Sequence, residues 1–265
     1  MAPQISLLTE LKTTVKQAGA LALEHFGKDN EIEIKPDGSK VSAADYAVNE
    51  FLQTHLTALD PSIGWLSEES PMPEDRLTTS RLWIVDPIDG TSSFLNDAPD
   101  WTIVAALIEN GQPVLSAVYN PVHDQLFLAQ KGHGAQLNDK PIQASSTSDL
   151  NEAKIITSKG HFNRTFENQK ERPSYFWRCS MAYRICLVAS GDVDATISLT
   201  PKNDWDIAAS HLILEESGGK IGTPKGKAIS YNNRELRHVG VVAATNKLYT
   251  PLIEKTSQAR GPKPQ

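Results

Sequence analysis

At 265 residues, 39% hydrophobic and 22% charged, the chain has the make-up of a globular protein: one large domain, or two modest ones sharing an interface. A formal net charge of −6 excludes a general nucleic-acid surface, which needs an excess of Lys and Arg, and leaves room only for a local basic pocket. No run approaches the roughly 18 apolar residues of a spanning helix.

The first residues, MAPQISLLTELK, lack the basic-then-apolar pattern of a signal peptide. The two cysteines, Cys179 and Cys186, have no metal-type spacing, so reduced thiols in a cytoplasm are expected. Apolar side chains at Leu7, Leu8, Leu11, Val15, Ala18, Leu21 and Ala22 predict a helix over 6–26, stopped by Gly27. Ile32 and Ile34 alternate with acids as in a strand, and Pro36-Asp37-Gly38 supplies a turn. Ser42, followed three residues on by Asp45, predicts a capped helix reaching Leu59. Residues 63–66 read as a strand that runs into Ser67, Glu68 and Glu69. Trp83, Ile84 and Val85 form another, which ends abruptly in Asp86-Pro87-Ile88-Asp89-Gly90-Thr91.

Alternating runs at 102–108, 114–118 and 125–129 predict antiparallel strands, with Asn110-Gly111 as one turn. The second half alternates differently. Strands are expected at 155–157, 195–199 and 239–243, and helices at 181–189 and 207–217, the latter ended by Gly218-Gly219. This is an α/β pattern, a mixed or parallel sheet flanked by helices. The predicted division is an N-terminal part over 1–140 and a C-terminal part over 141–257, meeting in the polar, turn-rich stretch 135–148. Residues 258–265, polar and rich in Pro and Gly, are expected to be disordered. Trp65, Trp83 and Trp101 are assigned to packing and Trp205 to anchoring its helix. His123, His133 and His211 show no ligand spacing.

The chemistry concentrates at Asp86 and Asp89. Two carboxylates at the mouth of a buried strand repel each other unless a cation holds them. Hard divalent ions such as Mg²⁺ prefer oxygen ligands and work beside substrate phosphates. Gly90 lets a backbone approach a ligand closely, and a helix beginning at Thr91 would offer free N–H groups to a phosphate. Asp45, Glu68, Glu69 and Asp206 fall at strand ends and helix starts, where α/β folds gather functional groups. For Asp45 or Asp206 alone, a helix cap or a solvated turn is the simpler reading. The pair beside Gly-Thr points to a metal-assisted phosphate site.

The segment WIVDPIDGTSSF resembles a signature of the inositol monophosphatase superfamily, and DWDIAASHLILEESGG is similar to its second signature. Leu66-Ser67-Glu68-Glu69-Ser70 resembles the family's Glu-Glu element, and Val41-Ser42-Ala43-Ala44-Asp45 its Val-Thr-x-x-Asp element. These elements stand in the expected order across nearly the whole chain. The resemblance implies a layered αβαβα sandwich and a Mg²⁺-dependent, lithium-sensitive phosphomonoesterase with two or three ions per site. It implies Glu68, Asp86, Asp89, Asp206 and the Ile88 carbonyl as metal ligands. Asp45 and Thr91 would orient and activate the attacking water, Glu69 would support the metal shell, and the Gly90 and Thr91 amides would hold the phosphate. In-line attack by water requires no covalent enzyme intermediate.

Substrate choice rests on other residues. Inositol phosphatases carry a Glu seven residues before the second-signature Asp, where this chain has Leu199, which cannot accept hydrogen bonds from sugar hydroxyls. On the helix ending in Ala189-Ser190-Gly191, Arg184 stands where bisphosphate nucleotidases of the CysQ type have Lys, and a guanidinium fork suits a second phosphate. Ser198 replaces an Arg found in several of those nucleotidases, so Lys202 or Arg178 would have to substitute. The expected activity is hydrolysis of the 3′-phosphate of adenosine 3′,5′-bisphosphate. The alternatives are an inositol 1-phosphatase or broad sugar-phosphate phosphatase, and, in another class, a non-catalytic RNA or transcription-complex binding role. A small phosphate ester is the expected partner, with no nucleic acid, and the family includes both monomers and homodimers.

Overall fold

Helix α1 (Gln4–His25) lays Leu7, Leu11, Val15, Ala18 and Ala22 along one stripe, and all five are buried. The structure, a computed structural model, describes residues 4–259 except Asp29, Asp37 and Asn168. A hairpin of β1 (Ile32–Ile34) and β2 (Lys40–Ser42) leads into α2 (Ala43–Leu59), which packs on α1 through Ala44, Val48, Leu52 and Leu56. The two helices cover one face of a seven-stranded sheet.

That sheet runs in sequence order: β3 (Gly64–Ser67), β4 (Arg81–Asp89), β5 (Thr102–Glu109), β6 (Gln112–Asn120), β7 (Gln125–Gln130), β8 (Ala135–Leu137) and β9 (Lys140–Pro141). Strands β3 and β4 are parallel and the other neighbours antiparallel. One helical turn, α3 (Thr91–Phe94), follows β4. Asn110 and Gly111, with φ of 50° and 77°, make the tight turn between β5 and β6. Both faces of the sheet are covered. Trp83, Val85, Ile103, Ala105 and Leu107 point to α1 and α2, whereas Leu82, Ile84, Val104, Ala106 and Ile108 point the other way. A strand buried on both faces reads as a continuous apolar run, as Trp83–Val85 does.

The chain continues through β10 (Lys154–Ile156), α4 (Lys159–Phe166), β11 (Ser174–Phe176), α5 (Met181–Ala189), β12 (Ala195–Ser198), β13 (Lys202–Asn203) and α6 (Asp204–Glu216). It closes with β14 (Gly219–Gly222), β15 (Arg237–His238), β16 (Val241–Thr245) and α7 (Asn246–Gln258). Strands β11-β10-β12-β16-β14 form a second, mixed sheet, and β13 pairs with β15. Helices α5 and α6 lie between the two sheets, with α4 and α7 on the far side of the second. The layers stack as αβαβα, the α/β sandwich implied by the resemblance.

Helix α6 starts at Asp204, three residues before the predicted start, so Asp206 sits in its first turn. Glycine is required where α6 gives way to β14: a Cβ on Gly219 would lie 2.2 Å from Leu214 Cδ1. Helices α4 and α7 are additions to the predicted pattern. Of the tail expected to be disordered, Gln258 closes α7, and residues 260–265 lie outside the described residues. Among the described residues, no helix is long and apolar enough to cross a membrane.

Candidate active site

A β-bulge sets the orientation of the two central carboxylates. Asp86 pairs with Val104 and Asp89 with Thr102, so three steps along β4 match two along β5. In a regular strand, residues an odd number apart face opposite sides. The extra residue cancels that alternation and turns Asp86 and Asp89 to the same face, towards α6. Asp206 comes from the first turn of α6, and one carboxylate oxygen each of Asp86, Asp89 and Asp206 lies within 4.8 Å of the others.

Asp86, Asp89 and Asp206 are each held through one oxygen, whereas Asp45 is engaged through both. Asp206 is the N3 residue of a capping box, its Oδ2 accepting from the Asn203 backbone N–H at 2.7 Å. Asp45 occupies the same position on α2, where its Oδ2 accepts from Ser42 N at 2.8 Å and Ser42 Oγ at 2.6 Å. Its Oδ1 accepts from Thr91 Oγ1 at 3.3 Å, which ties it to the Gly-Thr turn. Asp89 Oδ2 accepts from Ser180 Oγ at 2.6 Å and Ala182 N at 2.7 Å, joining β4 to the start of α5. Asp86 Oδ1 accepts from Ile88 N at 3.1 Å. The cap reading of Asp45 and Asp206 and the functional reading therefore coexist on different oxygens.

Gly90 has φ of 97°, and a Cβ there would come within 2.8 Å of the Asp100 carbonyl oxygen. Only glycine fits that turn. It sets Thr91 at the start of α3, where the first N–H groups lack intrahelical partners. The Ile88 carbonyl accepts from Thr91 Oγ1 at 3.1 Å and retains a second lone pair.

Glu68 and Glu69 approach the aspartates through Lys35, a residue that the sequence analysis did not single out. Lys35 Nζ donates to Glu69 Oε1 at 2.6 Å and to Glu68 Oε1 at 3.1 Å. Burial pulls the Lys35 ammonium down, but the two carboxylates outweigh it and hold the group above its ordinary value. The signal available in the sequence was its place: it ends the strand 32–34, which pairs with the strand leading into Asp45.

Burial and concentrated negative charge raise the proton affinity of Asp86, Asp206, Glu69, Asp89 and Asp45. Burial pushes Asp86 well above the usual carboxylate range, reinforced by Glu68, Asp89 and Asp206. Asp206 is raised to about 7 by burial and by Asp89, against the pull of Lys202. Glu69 is also raised to about 7 by burial and Glu68, with Lys35 opposing. Asp89 and Asp45 move in the same direction, again through burial.

A cationic wall stands opposite. His161 of α4 is pushed below its ordinary value by burial and by Arg164, Arg184 and Lys202, so three cations lie within electrostatic reach of it. The His161 Nδ1 is buried without a hydrogen-bond partner. Lys202 in turn lowers the carboxyls of Asp89 and Asp206. Arg184 is 4% exposed. Its Nε donates to the Arg178 carbonyl at 2.6 Å and its Nη2 to the Cys179 carbonyl at 2.9 Å. Two of its donors are thus bound to the backbone, which fixes the position of the guanidinium that the sequence suggests for a second phosphate. Arg178 pairs with Asp100 at 3.3 Å. Ser198 is buried against Thr200, and Leu199 packs on the outer apolar cluster.

The sequence profile of the inositol monophosphatase family matches residues 5–260. The chain belongs to that family. It is 33% identical over 244 residues to inositol monophosphatase 3 of Solanum lycopersicum, covering 87% of this chain and 88% of the relative. It is 29% identical over 234 residues to the 3′(2′),5′-bisphosphate nucleotidase CysQ of Escherichia coli O157:H7, covering 86% and 95%. Among solved structures, the extragenic suppressor protein suhB of Bartonella henselae superposes with a TM-score of 0.84 at 26% identity, covering 96% of this chain and all of that one (100%).

Inositol monophosphatase family members are in general Mg²⁺-dependent phosphatases, and the donor set of this chain suits that ion. Three carboxylates converge on one point, each with an oxygen not used by its cap, and all are hard ligands. Their proton affinities are raised by burial and by one another, and Lys202 offsets this only in part. A divalent cation would supply the remaining compensation. Asp86, Asp89 and Asp206 would hold such an ion together, with Glu68 and the Ile88 carbonyl at the edge.

Proposed function

We propose that the chain removes the 3′-phosphate of adenosine 3′,5′-bisphosphate by Mg²⁺-dependent hydrolysis. The observation that carries this substrate is the wall of His161, Arg164, Arg184 and Lys202 beside the acidic cluster. An uncharged polyol monophosphate has no use for the three cations Arg164, Arg184 and Lys202 beyond the ions, whereas a second phosphate does. The buried, unpartnered Nδ1 of His161 supplies a further polar contact. Leu199, packed in apolar surroundings, leaves no carboxylate for inositol hydroxyls. CysQ relatives support the reading, and inositol monophosphatases stand at similar identity, so the basic residues are the feature that favours a bisphosphate.

In this reading Asp86, Asp89, Asp206, Glu68 and the Ile88 carbonyl hold two or three Mg²⁺ ions, and Glu69 supports them. Bound Mg²⁺ neutralises the phosphoryl oxygens and makes water more acidic. Thr91 Oγ1 has the Ile88 carbonyl at 3.1 Å and Asp45 Oδ1 at 3.3 Å for its single proton, and donating it to either leaves oxygen lone pairs to accept from the attacking water. Asp45, whose proton affinity burial has raised, takes up the proton that the water loses. The Gly90 and Thr91 amides orient the transferred phosphoryl group in line.

With saturating Mg²⁺, kcat/KM for adenosine 3′,5′-bisphosphate is expected to exceed that for inositol 1-phosphate at least tenfold. Equal or better activity on inositol 1-phosphate overturns the assignment. Lys202→Ala should lower kcat/KM for the bisphosphate by about 10- to 100-fold, the worth of one hydrogen bond to a charged group. Its effect on glycerol 2-phosphate should be several times smaller. Equal losses on both would place Lys202 outside the second-phosphate contact.

A further inference from the structure

Trp177 is 52% exposed, yet one face of its indole is covered: the Arg184 guanidinium carbon lies 3.9 Å from the ring centroid. Arg184 cannot leave that face easily, because its Nε and Nη2 are bound to the carbonyls of Arg178 and Cys179. A buried, tethered cation thus holds a large aromatic ring in place at the surface, with the other face open. Arg184 stands in the opening turns of α5, and the start of that helix binds Asp89 through Ser180 Oγ at 2.6 Å and Ala182 N at 2.7 Å, so the ring lies on the segment that leads into the acidic cluster.

The neighbouring chain repeats the theme. Arg178 lies over Phe176 at 5.5 Å, and Tyr175, also exposed, stacks on Phe162 of α4 at 4.0 Å. Helix α4 also carries His161 and Arg164 of the cationic wall. Aromatic faces interleaved with basic groups are the arrangement that binds single nucleotides and unpaired strands: the cations take phosphates and the rings take bases.

We infer that the open face of Trp177 is a stacking platform for the planar ring of the substrate, placing a nucleobase over the Trp177–Arg184 pair while the cationic wall holds the second phosphate. This rests on the nucleotide reading above and adds the subsite for the base. Trp177 is then a specificity-determining residue. It binds the part of the substrate that does not react, so its loss appears in KM and leaves kcat nearly intact.

The test compares adenosine 3′,5′-bisphosphate with its ring-free counterpart, methyl riboside 3,5-bisphosphate, in the wild type, Trp177→Ala and Trp177→Phe. Trp177→Ala is expected to raise KM for the nucleotide about 10- to 100-fold with kcat changed less than threefold, the range given by loss of one base–aromatic stack. The rise on the ring-free bisphosphate should be at least fivefold smaller, and Trp177→Phe should recover most of the loss. If both substrates lose equally, or neither does, while the wild type still prefers bisphosphates, the platform is wrong and the nucleotide reading stands. If the wild type prefers inositol 1-phosphate, both fall. A shift from dimer to monomer on Trp177→Ala, without a change in the ratio of the two bisphosphates, would make the ring a contact between copies and overturn the platform.

Discussion

Asp89→Asn is expected to lower kcat/KM by about 10³-fold or more at saturating Mg²⁺ while leaving the fold intact. The side-chain oxygen of asparagine can still accept from Ser180 Oγ and Ala182 N, which bind Asp89 Oδ2 at 2.6 and 2.7 Å. The junction between β4 and α5 therefore survives. The change falls on the other terminal atom, where an amide presents two hydrogens in place of a lone pair and a charge. Metal-assisted catalysis is worth several kcal/mol of transition-state stabilisation, and each 1.36 kcal/mol is about tenfold in rate. Phosphate release and calorimetric Mg²⁺ titration measure both halves of the claim. Retention of more than a tenth of wild-type activity, or unaltered Mg²⁺ affinity, would remove Asp89 from the metal-binding set. The same variant separates catalysis from any binding role, since a purely structural task would survive it.

Much of this site was legible because its parts carry local signals. Ser42 with Asp45, and Asn203 with Asp206, are spaced as capping boxes, so the helix starts and the acids at them come from the same few residues. The apolar run before Asp86 marks a strand buried on both faces. Less legible was anything fixed by register or by contacts distant in sequence. Pro87, which cannot donate to the ladder of a central strand, is the one hint of the bulge in residues 86–89, but the register against β5 that turns both aspartates to one layer is set by a partner strand distant in sequence. Lys35 meets Glu68 and Glu69 across 33 and 34 positions. The tethering of Arg184 was hidden for a related reason. Its guanidinium spends two donors on carbonyls of its own α5 approach, a local competition that side-chain type alone does not reveal. Helix α7 escaped because Pro251, a usual stop signal, lies inside it, and α4 because its eight residues are mostly polar.

The acid cluster also predicts how stability depends on pH and metal. In the metal-free protein Asp206 titrates at about 7, against an ordinary value of 3.8 that applies when the chain unfolds. Glu69 is likewise raised to about 7 from 4.5, and Asp86 moves the same way. Between about pH 4 and pH 7 the folded protein therefore binds protons that the unfolded chain has released. Stability must fall as pH rises through that window. Lys35, raised from 10.5, contributes nothing there because it stays charged in both states. His161, lowered from 6.5, works in the opposite direction over part of the range, so the informative comparison is with Asp206→Asn, in which its contribution is unchanged. Metal-free wild type should lose on the order of 5 °C in Tm from pH 5 to pH 8, and Asp206→Asn distinctly less. Mg²⁺ binds only the ionised carboxylates, so the Tm it restores should grow with pH. At 100 times its Kd the gain is about 2.7 kcal/mol, or roughly 5–10 °C for a chain of this size. Thermal melts at three pH values, with and without Mg²⁺, decide the matter. A Mg²⁺ increment that is the same at pH 5 and pH 8, or a metal-free Tm that rises across the window in wild type and variant alike, would mean that the cluster is already compensated by the protein's own charges. The carboxyls would then not be raised in the folded protein, and the cluster would no longer require a cation.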